Sequence, residues 1–271
     1  MTWWCSARGS PWTWTWQPYP GVWLLVILLL ATYTLALWRF KALESHKPHS
    51  AEVVSFVSGV VFLWLSIDWP VGPLGAGYLI SVHTAQYIVL TMVVAPLLIH
   101  GLPGWLLEAL IQPRWAVSLA RFLSRPVFAF LVFNVVLVAT HLPPVVDGLK
   151  ATQLGSFAVD MAWLASGLLF WWQVLGPLPE LKPLSYPGRI VFLLLNVFVP
   201  TVPAAFLTFA DYPLYAIYEL APRVAGISAA QDQQLAGLTM KIVGGFFIFG
   251  TASVLFFKWY ATEERLGDAL R

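Results

Sequence analysis

The sequence predicts an all-α polytopic membrane protein, a bundle of seven transmembrane helices with its N-terminus outside and its C-terminus in the cytoplasm. Three observations carry that expectation. Residues of the AVILMFWYC set make up 59% of the chain, charged residues only 10%, and mean hydropathy is +0.75. A soluble domain carries about 25% charged residues. Apolar runs of about 20 residues, the length that crosses a bilayer, recur along the whole 271-residue chain. The basic residues between those runs fall mostly on one side.

The elements follow in order. Residues 1–21 form an aromatic-rich outer segment in which Trp12, Trp14, Trp16 and Tyr19 read as an interfacial belt. No basic stretch precedes a short apolar core, so this start does not read as a cleavable signal peptide. Spans are expected at about 22–38, 52–68, 78–100, 126–143, 153–175, 188–209 and 234–259. A basic loop with Arg39, Lys41, Lys47, His46 and His49 follows the first, and Asp68-Trp69-Pro70 closes the second. The apolar patch at 104–111 predicts a short interfacial helix. Pro200 and Pro203 should kink the sixth span near its far end. A polar loop at 210–233 leads to the last span, and 260–271 is a charged tail. The chain thus reads as one seven-helix domain, 1–271.

Alternate loops and the tail carry Arg39, Lys41, Lys47, Arg114, Arg121, Arg125, Lys182, Arg189, Lys258, Arg265 and Arg271. The other side has Arg8, Lys150, Arg223 and, at the head of the last span, Lys241, which makes 11 against 4. Basic loops stay in the cytoplasm, which sets the orientation.

That topology sorts the polar residues. The stretch 76–104 is apolar enough to span, yet it holds His83, Gln86 and Tyr87 at i, i+3 and i+4, on one helix face. With the assigned directions these three, Asp68, His141, Asp160, Asp211, Asp232, Gln233 and Lys241 all fall in the outer half. His46, His49 and His100 fall on the cytoplasmic side, the first two in a solvated loop and the third at a helix end. Polar groups confined to one leaflet describe a shallow cavity open to the outside, not a transport path through the full thickness. The plainer alternative is that these groups hydrogen-bond neighbouring helices. Asp160 and Lys241 each lie about seven residues into an inward-running span, roughly 10 Å deep. Opposite charges at matched depth predict an ion pair between them.

Several classes are disfavoured. The single cysteine, Cys5, supports neither a disulfide framework nor a cysteine metal site. The net charge of +2 is too small to imply nucleic acid. No nucleotide-binding or hydrolase motif appears. Ser81 stands two residues from His83, on the wrong face for a nucleophile–base pair, so an enzyme is not expected.

The segments WTWQPYPGVWLLVILLLATY, FVSGVVFLWLSIDWPVG, VHTAQYIVLTMVVAPLLIHGLP, THLPPVVDGL, GLLFWWQVL and DQQLAGLTMKIVGG resemble, in order and over nearly the whole chain, the seven-span CtaG-type cytochrome c oxidase assembly factors. That family is distinct from the single-span copper chaperone sharing the CtaG name. The resemblance implies a multi-pass protein of the bacterial inner membrane, in contact with membrane lipid. It would help mature a haem-copper oxidase of the respiratory chain from the periplasmic side, by delivering copper to a copper centre. Its partners would be oxidase subunits or their assembly factors. His83 and Gln86 match the family signature H-x-x-Q-H, His141 its H-L-P, and Asp232 and Gln233 its D-Q pair. Tyr87 stands where the second signature histidine is expected, and Asp160 where a further histidine is expected. The implied metal ligands are therefore His83, His141 and Asp160. Asp68, Gln86, Tyr87, Asp232, Gln233 and Lys241 would line the site. Two or three ligands of this kind leave a second reading open, a copper-free accessory protein of the oxidase.

Overall fold

The computed structural model describes residues 2–41, 48–178, 181, 183–224 and 226–269. His46, Lys47, Lys182 and Arg271, which entered the charge and histidine arguments, lie outside the described residues. All regular structure among the described residues is helical.

The first apolar run forms α1 (Pro20–Lys41), which starts on a proline that has no amide to leave unpaired. The second forms α2 (Ser50–Ile67); the Glu52 carboxylate accepts from the His49 amide at 2.8 Å and so fastens its start. A short helix not foreseen from the sequence, α3 (Val71–Gly77), then turns the chain into the third span. That span is not one regular helix. It runs as α4 (Ile80–Ile88), a π-helical stretch Val89–Val94, and α5 (Ala95–His100). π-helical turns are rare and gather at functional sites.

The patch at 104–111 is the expected short helix, α6 (Gly104–Leu110). It is followed by α7 (Arg114–Leu123), bent by 66° from α8 (Pro126–Ala139). Here the fourth expected span is corrected. A straight span at 126–143 does not form, because α8 stops at Ala139 and Pro143 forces Leu142 into an extended conformation before α9 (Pro143–Lys150) begins. At 14 residues α8 is about 21 Å long, short of a hydrocarbon core of about 30 Å. Among the described residues six helices are long and apolar enough to cross a membrane, and seven if α7 and α8 together make one broken span.

The fifth span is α10 (Gln153–Leu175), begun by the Thr152 hydroxyl accepting from the Gly155 amide at 3.1 Å. The sixth is α11 (Tyr186–Phe209), which runs unbroken through Pro200 and Pro203. The polar loop after it contains α12 (Ala216–Glu219). The last helix, α13 (Ala229–Ala269), is longer than expected at both ends and takes in most of the charged tail.

The third span and α10 form the centre of the bundle, flanked by α2, α8 and α13, with α11 against α13. Glycine sets two of these approaches. A Cβ on Gly167 would stand 2.9 Å from the Thr91 backbone, and one on Gly237 2.7 Å from the Ala204 carbonyl. Residues 2–19 are not helical but lie across one end of the bundle. The Trp3 amide donates to Gln153 Oε1 at 2.7 Å, the Ala7 amide to the Lys150 carbonyl at 3.0 Å, and Tyr78 Oη to the Ser10 carbonyl at 2.7 Å. Trp14 and Trp16 are exposed as a belt requires, but Tyr19, assigned to the same belt, is wholly buried.

Candidate functional site

Beneath that N-terminal segment, side chains from α4, α8, α9, α10 and α12 meet around Trp163. The indole is fully buried and its Nε1 donates to Thr140 Oγ1 at 2.8 Å. His83, from the middle of α4, packs against it with ring centroids 4.8 Å apart. His141 follows the end of α8, and its ring centroid lies 5.5 Å from that of His83, edge to face. Tyr87 adjoins His141 at 5.1 Å, and Tyr218 adjoins His83 at 6.0 Å.

The hydrogen bonds of the two histidines are incomplete. His141 Nδ1 stands 2.8 Å from the Leu137 carbonyl, but among the described residues its Nε2 has no partner, and neither ring nitrogen of His83 meets one at hydrogen-bonding geometry. Both residues are buried, His83 completely. A buried polar atom without a partner costs about 1–3 kcal/mol and asks for a water or an ion. The surrounding tyrosines are anchored elsewhere. Tyr215 Oη donates to the His141 carbonyl at 2.7 Å and Tyr218 Oη to the Gly75 carbonyl at 2.6 Å. Burial pushes both hydroxyls up, so they remain neutral donors.

Asp160 does not turn toward the histidines. Its Oδ1 pairs with Lys150 Nζ at 2.8 Å and its Oδ2 accepts from Trp4 Nε1 at 2.8 Å, all within the buried interior. The expected pair of Asp160 with Lys241 is therefore wrong. Lys241 is exposed on α13 and donates to Thr201 Oγ1 at 2.6 Å. Matched depth does not amount to proximity, because the two side chains leave their helices in different directions. The Lys150 ammonium also lies 4.9 Å from the centre of the Trp163 ring, a cation–π contact that brings positive charge to the histidine pair.

The remaining candidate residues hold helix ends and turns. Asp232 accepts from the Ile80 amide at 2.6 Å, from the Ser81 amide at 3.3 Å and from the Ser81 hydroxyl, supplying from α13 the cap that α4 lacks in its own sequence. Asp147 does the same for α12 through the Ala216 and Ile217 amides. Gln233 Oε1 accepts from the Leu214 amide at 2.7 Å and fixes the loop after α11. Gln86 Nε2 donates to the Ser66 carbonyl at 2.7 Å, while its Oε1 lies so close over Gly75 that a Cβ there would stand 1.9 Å away. Asp68 accepts from Trp64 Nε1 at 2.8 Å at the end of α2; burial pushes its carboxyl up, against hydrogen bonds from the Trp69 backbone and Trp64. His49 and His100 are exposed and far from this cluster in the chain's fold, beside other helix ends.

The structure thus brings His83, Tyr87 and His141 together and leaves Asp160 facing Lys150. Among the described residues, no group of three or more His, Cys, Asp or Glu side chains could hold a metal ion. The donor set that remains is two imidazoles with free nitrogens. Lys150, Trp4, Trp163 and Tyr218 also belong to the cluster and are not among the site residues the sequence points to. Lys150 carried a signal, a cation ten residues before an unexplained intramembrane aspartate, on the same side of the membrane.

Comparison with known proteins adds the following. A family model described as "Cytochrome c oxidase caa3 assembly factor" matches residues 31–262. An uncharacterized protein of Mycobacterium bovis and another of Mycobacterium tuberculosis are each 30% identical over 128 residues, covering 42% of this chain. The match spans 19% of the length of each of those relatives. No solved structure matches.

Proposed function

Because this chain belongs to the cytochrome c oxidase caa3 assembly factor family, we propose that it helps mature a haem-copper oxidase by presenting monovalent copper, as cargo, from between His83 and His141. One observation carries this reading: two buried imidazoles lie edge to face with three ring nitrogens unpartnered among the described residues. Imidazole suits copper, and with ring centroids 5.5 Å apart the two side chains are near enough to share one ion once the edge-to-face rings turn so that a nitrogen of each points at it. Two nitrogens make a weak, open site, which suits an ion that has to be handed on. The role is non-catalytic, and the partners are oxidase subunits or the proteins that assemble them.

Titration of the purified protein with copper under reducing conditions, against a chromophoric chelator, tests the reading. The parent should take about one equivalent. His83→Phe should take none and still fold, since neither nitrogen of His83 has a partner to lose. Cells carrying that variant should make oxidase deficient in copper relative to haem. A parent that binds no copper overturns the cargo reading. It would favour the copper-free accessory protein, which the Lys150 ammonium beside the site already supports by opposing a cation there.

The assembly would take place at the outer face of a bacterial inner membrane. The basic residues of the described loops support the orientation that puts the N-terminal segment and the histidines outside. A reporter fused after α13 should then be active only in its cytoplasmic form; a periplasmic phosphatase that works at that position would reverse the topology.

A further inference from the structure

Lys241 is left unexplained by the histidine site. It sits within a membrane-crossing helix, its side chain is exposed, and its partner among the described residues is the neutral Thr201 hydroxyl at 2.6 Å. An ammonium on a lipid-facing surface is costly, and such residues mark contacts rather than idle surface. It does not reach the interface by extending along its helix. Thr201, to which it is tied, lies eight residues below the end of α11 at Phe209, about 12 Å along the axis. The exposed Phe209 and Tyr212 mark where the interface begins.

The surface beside Lys241 is shaped to receive something. Gly244 and Gly245 stand at i+3 and i+4, on the same face of α13. A Cβ on Gly244 would meet nothing within 4 Å, and one on Gly245 only the edge of Phe249 at 4.0 Å. Lys241 and these glycines border a narrow crevice of about 50 Å³, whose other walls include Tyr87, Met92, Phe133 and Pro200. Met92 belongs to the π-helical stretch of the third span, and Tyr87 packs on His141, so the crevice adjoins the back of the histidine site.

We propose that this side of α13 is a docking face for a transmembrane helix of a partner protein that carries a carboxylate at the depth of Lys241. Charge complementarity selects the occupant. A lipid phosphate stays at the interface, about 12 Å above the tied ammonium, so a headgroup does not meet it. A second copy of this chain fits poorly, because a symmetric contact would set two Lys241 ammoniums against each other, and Asp68, Asp160 and Asp232 are all buried in their own chain. A partner helix with an acidic residue satisfies the charge, and the bare glycines let its backbone approach closely, as small residues do between membrane helices. An apolar side chain next to the acid would enter the crevice. The proposal deepens the assembly-factor reading by giving it a surface for a membrane-embedded partner.

Energy transfer in vesicles of zwitterionic lipid at pH 8 tests it. The probe is a polyleucine peptide of about 20 residues with one glutamic acid about 12 Å from its outer end, at low peptide-to-lipid ratio, with the full chain as acceptor. The glutamic acid peptide should bind the parent about tenfold more tightly than its glutamine counterpart. In Lys241→Met the two peptides should bind alike, and Gly244→Leu should weaken both. Equal binding of the two peptides to the parent, or a preference that survives in Lys241→Met, overturns the proposal. So does displacement of the peptide by an anionic phospholipid in a Lys241-dependent way, which would make the site a lipid site. The assay uses neither copper nor oxidase, so its failure leaves the histidine reading standing, and the converse also holds.

Discussion

Replacing Lys150 by methionine is expected to destabilise the folded protein by about 3–5 kcal/mol, because it strands a buried carboxylate. The side chains of Lys150 and Asp160 are 1% and 4% exposed and meet at 2.8 Å. Without the ammonium, Asp160 keeps one donor, Trp4 Nε1, and has no charge to oppose it. Asp160→Asn keeps a bond to Trp4 but leaves the ammonium with Ser156 Oγ at 3.3 Å and the face of Trp163. The double variant Lys150→Met/Asp160→Leu should recover most of the loss, since a buried pair and an apolar pair of similar volume differ little in stability. Unfolding of the parent, both single variants and the double variant in the same detergent gives the coupling directly. A Lys150→Met variant within about 1 kcal/mol of the parent, the range of an exposed pair, would show that the pair does not hold this end of the bundle together. The consequence reaches the histidines, because Lys150 and His83 lie against the same indole.

What was legible in the sequence, and what was not, follows from which information each inference needed. The ends of α10 were readable from the apolar run at 153–175 alone; the Thr152 cap at its start is a local detail that the span does not require. The meeting of His83, Tyr87 and His141 was readable because direction of travel and depth suffice when residues also share a helix face with a neighbour. Depth alone misled for Asp160 and Lys241, since position around the helix decides contact and the sequence gives no relative rotation of two helices. The true partner, Lys150, is close in sequence but reaches Asp160 only because the chain reverses at residues 151–152 between α9 and α10. Trp4 lies 156 residues away in a non-helical segment with no periodicity to read. The fourth span ends earlier than expected for a local reason. Hydropathy continues past Ala139, but Pro143 removes the helical option for the residue before it. The caps on α4 and α12 were invisible because they come from other elements, Asp232 and Asp147, and a capping motif is local by definition.

Trp163→Ala should be the most damaging apolar truncation, costing about 3–5 kcal/mol as large-to-small changes of buried aromatics do. The indole has 0% of its surface exposed and serves as the common wall of the cluster. Ring centroids of His83 and Tyr87 lie 4.8 and 5.6 Å from it, and the Lys150 ammonium 4.9 Å. Removing it leaves a cavity bounded by unpartnered imidazole nitrogens, which is polar enough to take up water. Trp163→Phe separates packing from hydrogen bonding. It keeps a ring between the histidines and Lys150 and loses the bond to Thr140, worth about 0.5–1.5 kcal/mol. Thr140 Oγ1 still donates to the Val136 carbonyl at 2.7 Å, so nothing on that side is stranded. Unfolding in detergent should rank the parent first, Trp163→Phe second and Trp163→Ala last. Copper titration should follow the same order, because the imidazoles keep their mutual placement only while a rigid ring stands behind them. If Trp163→Ala unfolds as the parent does, the histidine pair is held by its own helices and not by the indole. If it unfolds early yet takes up copper as the parent does, stability and cargo binding are separate properties of this cluster, and the two nitrogens need no wall at their back.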